Sequence, residues 1–107
     1  MTQPATKLTI VVERLLEPVV ERLLEAAQIK GYSVFPGGGR GSHGTHHAYS
    51  AQVVREFAIV KYEIVVADRA KAERVADTLI SQHLTHQPGI VWLETVDVLR
   101  AWKFASS

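Results

Sequence analysis

Apolar and polar positions alternate along this chain in blocks of two different periods. Leu8-Thr9-Ile10-Val11-Val12 is a β-branched run and predicts a strand over 7–13. A helical reading competes with it. Val11, Val12, Leu15, Leu16, Val19, Val20, Leu23, Leu24 and Ala27 keep a helical spacing throughout, and Val-Glu-Arg-Leu-Leu-Glu occurs at both 12–17 and 20–25. Pro18 decides between the two. Inside a helix it would remove a hydrogen bond and clash with the preceding turn, at ~3 kcal/mol or more. At the first turn it costs almost nothing. The pattern therefore predicts a strand, then a helix over 18–29, with Lys30 and Gly31 supplying the C-terminal charge and left-handed cap.

Tyr32-Ser33-Val34-Phe35 predicts a second strand, and 36–53 a loop of roughly eighteen residues, long for a compact domain. Residues 54–67 carry the longest strand signal, with Ala58, Val60, Tyr62, Ile64 and Val66 on one face. Phe57, Ile59 and Val65 fall on the other. Asp68 is placed to cap a helix reaching about Leu84, with Ala72, Val75, Ala76, Leu79 and Ile80 as its core stripe. Pro88-Gly89 breaks the chain before a fourth strand over 90–96. The tail from Asp97 carries Val98, Leu99, Trp102 and Phe104, more apolar than a free tail should be.

The order βαββαβ is the ferredoxin-like arrangement: an α+β sandwich of a four-stranded antiparallel sheet with two helices on one face. One domain is expected over 1–107, with the long loop at about 36–54 and the tail at about 97–107. The second sheet face stays open. Association with further copies covers such a face at little cost, so an oligomer is expected.

Composition narrows the function. Twelve basic residues against eleven acidic ones give a net charge of +1, too little for a protein held on nucleic acid by charge. No cysteine is present, which excludes disulfides, thiolate nucleophiles and cysteine-ligated metals. Residues 1–7 do not read as a signal peptide, and no apolar run approaches the ~18 residues of a membrane span. A cytoplasmic location is the expectation.

The loop holds the candidate chemistry. Glycines 37, 38, 39, 41 and 44 free the backbone N–H groups to converge on an anion, while Arg40 adds a forked cation and Ser42 a hydroxyl. This suits phosphate. The letters of a dinucleotide fingerprint are present at 39–44, but no apolar stripe follows to make the required helix. A Walker A loop lacks its lysine. Histidines 43, 46 and 47 cluster, and His83 and His86 lie three apart, but no carboxylate or thiolate completes a metal set, so no metal site is assigned. Residues 55–62 come near the RNA-recognition signature of a third strand, but Glu56 replaces its glycine and Ile59 an aromatic. No catalytic set stands out, so the chain does not read as an enzyme.

Lys7-Leu8-Thr9-Ile10-Val11, Gly31-Tyr32-Ser33-Val34, Gly39-Arg40-Gly41-Ser42, Val60-Lys61-Tyr62-Glu63-Ile64 and Pro88-Gly89-Ile90-Val91 together resemble the PII-like signalling proteins, most of all their bicarbonate-linked, carboxysome-associated branch. The resemblance runs from about Lys7 to Val98. It implies a homotrimer with adenine nucleotide in clefts between subunits. Tyr32, Ser33 and Val34 would face the adenine. Gly39, Arg40, Gly41 and Ser42 would cradle phosphate, with Gly39, Arg40 and Gly41 also taking bicarbonate. Gly89 and Ile90 would close the cleft. The long loop, the T-loop of that family, would change order with ligand and dock on a protein partner, such as a bicarbonate transporter or carboxysome component, giving location at a carboxysome or inner membrane through that partner. Departures from the nitrogen-sensing members, Ile59 for a lysine, His43 for a glutamine and a shortened segment before the last strand, favour ADP or AMP over ATP. The alternatives are a trimeric divalent-metal-binding protein of the copper-tolerance type, which shares the fold, and an RNA-recognition module.

Overall fold

The computed structural model describes residues 1–39 and 54–104, and of 54–57 the backbone alone. Period-two alternation of Leu8, Ile10 and Val12 with Lys7, Thr9 and Val11 lies in strand β1 (Gln3–Glu13). It starts earlier than the predicted 7–13, because Gln3 to Thr6 continue the pairing of this strand with Val98 to Thr95 of the last one. A 3-10 turn (Arg14–Leu16) then leads into helix α1 (Glu17–Ala26), with Pro18 in its first turn.

This helix ends before the expected Ile29, and Gly31 is not its cap. Gln28 takes the left-handed conformation, φ 62°. Its N–H donates to the Glu25 carbonyl at 2.9 Å, and the Ile29 N–H to the Leu24 carbonyl at 2.9 Å. These two bonds are a Schellman ending, completed by the burial of Leu24 and Ile29 in the same core. Seating Ile29 fixes the end of the helix more firmly than the glycine two residues later.

Strand β2 (Ser33–Gly39) begins one residue after the expected start and runs on through Pro36 and three of the glycines assigned to the loop. It pairs with β3 (Val54–Val66), Ser33 opposite Glu63 and Gly37 opposite Ile59, with a bulge before Gly39 meets Val54. The ladder of a long partner strand overrides the weak strand preference of glycine. Arg40, Gly41, Ser42 and the histidines at 43, 46 and 47 lie outside the described residues.

Helix α2 (Arg69–His83) begins where expected: the Asp68 Oδ1 accepts from the N–H groups of Ala70 at 2.9 Å and Lys71 at 3.4 Å. Such a cap is worth about 1 kcal/mol. Ala72, Val75, Ala76 and Leu79 are buried, but Ile80 is not. One residue past Leu79 is about 100° around the helix, off the stripe that meets the sheet. Strand β4 (Gly89–Val98) follows and is longer at both ends than expected.

The sheet order is β2-β3-β1-β4 with every neighbouring pair antiparallel, the ferredoxin-like arrangement. Val20 and Leu24 of α1 and the α2 stripe join Leu8, Ile10, Val12, Val60, Tyr62, Ile64 and Val66 in one core. Each such large apolar side chain contributes about 1.5–3 kcal/mol on burial. The opposite sheet face has no layer over it among the described residues. Beyond β4, Arg100 turns through φ 58° into a 3-10 turn (Ala101–Phe104). Leu99 and Trp102 stay exposed there, so within one chain the apolar tail does not bury these two. No described helix is long and apolar enough to cross a membrane.

Candidate functional site

The described site residues predicted from sequence fall at three places on or just beside the sheet. Tyr32, Ser33 and Val34 stand at the beginning of β2, all exposed. Gly39 ends the same strand, about 20 Å further along at ~3.3 Å per residue. Gly89 and Ile90 open β4, at the other edge of the sheet. Register links the edges. Pro36 faces Val60, Val60 faces Val12, and Val12 faces Gly89, so these four form one row. Its ends are three strand spacings apart, roughly 14 Å. Within one chain the sheet therefore holds the β2 and β4 residues apart, and the described residues of one copy do not gather them around a single small molecule.

The open face between these edges carries exposed apolar side chains. One of its rows reads Phe35, Lys61, Val11, Ile90. Phe35 and Ile90 are 44% and 61% exposed at the two sheet edges. The Lys61 Nζ lies 5.3 Å from the centre of the Phe35 ring, within cation–π range. A second row reads Ser33, Glu63, Thr9, Trp92. Thr9 is buried, and its Oγ1 has no hydrogen-bond partner among the described residues. A buried unpaired hydroxyl is costly, which favours a further polar group over this face.

Glu63 is a further candidate, and its local sequence does not single it out. Its carboxylate lies 3.3 Å from the Lys61 Nζ and 3.4 Å from the Lys7 Nζ. The bond from Lys61 holds it below the usual carboxylate range; partial burial pulls the other way and Lys7 adds to the lowering. Glu63 is thus a charged acceptor opposite the Ser33 hydroxyl, suited to an exocyclic amine. Only the β2–β3 register reveals this, because thirty residues separate the two in sequence.

Gly89 is closely packed. A Cβ there would meet Leu84 Cδ2 at 3.0 Å, Leu84 Cδ1 at 3.1 Å and Val12 Cγ1 at 3.2 Å. Gly39 is roomier: its added Cβ would lie 3.9 Å from the Ile59 Cδ1, so the ground beside the loop base is apolar.

On the helix side of β2 a cleft of about 650 Å³ is lined by Pro18, Glu21, Arg22, Glu25, Ile29 and Tyr32, among others. Partial burial and then the Glu21 and Glu25 carboxylates push the Tyr32 hydroxyl up from its ordinary value. Among the described residues, only Tyr32 of the candidate set borders this cleft. Among the described residues no group of three metal-ligating side chains comes together.

The family model for Nitrogen regulatory protein P-II matches residues 5–103. A putative PII-like signalling protein from Thermus thermophilus superposes with a TM-score of 0.73 at 26% identity, over 97% of this chain and 98% of that one. CPII from Thiomonas intermedia K12, a nitrogen regulatory PII-like protein, was solved bound to ADP and bicarbonate; it matches with a TM-score of 0.75 at 21% identity, over 98% of each chain. The same protein bound to ADP, AMP and bicarbonate matches with a TM-score of 0.72 at 22% identity, over 94% of this chain and 98% of that one.

Proposed function

Because the chain belongs to the nitrogen regulatory P-II family, we propose that it is a regulator that binds ADP or AMP, together with bicarbonate, in clefts between the subunits of a homotrimer. The observation that carries this reading is the separation of the candidate residues onto opposite sheet edges. A second copy that brings its β2 edge to the β4 edge of the first unites them. The open face, with exposed Phe35, Ile90 and Trp92, gives such copies an apolar surface to share.

In that cleft Ser33 and Glu63 of one subunit read the adenine edge, with Tyr32 and Val34 beside them. Gly39, Arg40, Gly41 and Ser42 present backbone amides and a guanidinium to phosphate, and the first three also to bicarbonate. Gly89 and Ile90 close the far side. The apolar Ile59 next to Gly39 supplies no charge for a third phosphate, which favours ADP and AMP over ATP.

The switch follows from magnitudes. Ordering a residue costs about 1–2 kcal/mol of backbone entropy. A charge-assisted bond to an anion returns about 1.5–3 kcal/mol, so bound ligand fixes the base of the T-loop, between β2 and β3, and not its whole length. A second ligand meeting an ordered base binds more tightly, which couples nucleotide and bicarbonate reciprocally. The ordered loop then docks on a protein partner in inorganic-carbon metabolism. Thermal unfolding screened against ADP, AMP and ATP, with and without bicarbonate, tests the reading. ADP or AMP should raise the midpoint, more so with bicarbonate; no shift with any adenylate would reject it.

A further inference from the structure

Tyr62 sits at the centre of β3 and is fully buried on the helix side of the sheet. A buried tyrosine hydroxyl needs a partner. This one donates to the Glu21 Oε2 at 3.0 Å, joining β3 to α1 across forty-one positions of sequence. The acceptor comes from an exposed helix position that borders the cleft beside Tyr32.

The Tyr62 ring is also a floor. Its centroid lies 5.7 Å from that of Tyr32, with the rings tilted by 54°, in the range of edge-to-face pairs. Tyr32 stands just before β2, which begins at Ser33. The two residues preceding it offer no anchor of their own. Lys30 is exposed, and a Cβ added at Gly31 would meet nothing within 4 Å. Between buried Ile29 and the first ladder pair, Ser33 with Glu63, the ring of Tyr32 is what ties this stretch to the core.

We infer that the hydrogen bond from Tyr62 to Glu21 is a positioning contact for the ligand cleft: it holds the ring on which Tyr32 rests, and thereby sets where Ser33 is presented. The inference rests on the nucleotide-binding reading above, but Tyr62 and Glu21 lie on the helix side of the sheet, away from its open face. Glu21 and Tyr62 are positioning residues.

The test measures ADP affinity by titration calorimetry, and the Ser33 amide resonance of the ligand-free protein, in four variants. Tyr62→Phe and Glu21→Ala each remove the bond and should weaken ADP binding about threefold to tenfold. The double variant should lose no more than either single one, because both remove the same contact. Glu21→Gln keeps a carbonyl acceptor for the hydroxyl and should bind ADP close to wild type, separating the hydrogen bond from the charge. The Ser33 resonance should move in Tyr62→Phe and Glu21→Ala and stay in Glu21→Gln. Glu21 is at the surface, so its variants remain informative if Tyr62→Phe does not fold. Unchanged ADP affinity in Glu21→Ala, or additive losses in the double variant, would overturn the inference. If the wild-type protein bound no adenylate, the nucleotide reading would fail by itself. The Ser33 resonance would then decide the positioning, and no movement in either bond-removing variant would overturn it.

Discussion

Phe35 and Ile90 stand at the two edges of one row across the open sheet face, with Lys61 and Val11 between them. Both are apolar side chains left exposed among the described residues, and a second copy laid on this face would cover them. Their strands also carry the two halves of the candidate site. A cleft using both halves needs two copies, so defects in different halves should complement. Ser33→Arg and Ile90→Asp proteins should each bind ADP poorly on their own. Mixed by co-expression, about a quarter of the clefts regain two intact edges if subunits assemble at random. Recovered ADP stoichiometry in the mixture checks this; none would place the site within one chain.

The loop base should matter through charge. Arg40→Ala should weaken ADP binding about tenfold or more, the loss of one or two charge-assisted bonds. Thermal stability without ligand should barely change. Calorimetry beside an unfolding scan separates the two effects.

Gly89 predicts a packing defect in place of a charge defect. The methyl of Gly89→Ala would press on Leu84 and Val12 at 3.0–3.2 Å. Leu84 is half-buried and able to yield, so the expected loss is about 1–2 kcal/mol. A shifted urea midpoint at unchanged slope would match that expectation.

Tyr62 gives a pH dependence whose sign is fixed. Burial first, then the bond to Glu21 and the charge of that carboxylate, raise its hydroxyl well above the ordinary 10.0. A group whose proton is held more tightly in the folded state contributes its full stability below its unfolded pKa. That contribution is lost as pH rises above 10. Urea midpoints between about pH 8 and about pH 11 should fall in wild type and fall less steeply in Tyr62→Phe.

Much of this fold is legible in local patterns. Pro18 separates strand from helix, Asp68 marks the start of α2, and alternation from Val60 to Val66 names the core face of β3. What escapes depends on partners far along the chain. The ends of β1 and β2 follow the strands they pair with, so glycines that read as loop continue a ladder. Gln28 turns left-handed because Ile29 must be buried. Glu63 joins the candidate site through its register with Ser33, and Glu21 reaches Tyr62 through tertiary packing. No spacing rule on a single chain announces either contact.

Titration calorimetry of the purified protein with ADP, in buffers with and without bicarbonate, is the most direct test of the proposed regulator. Saturable ADP binding at one site per subunit, with higher affinity in bicarbonate, is the expected result. Absence of ADP binding would contradict the nucleotide cleft, and equal affinity in the two buffers would contradict the coupling.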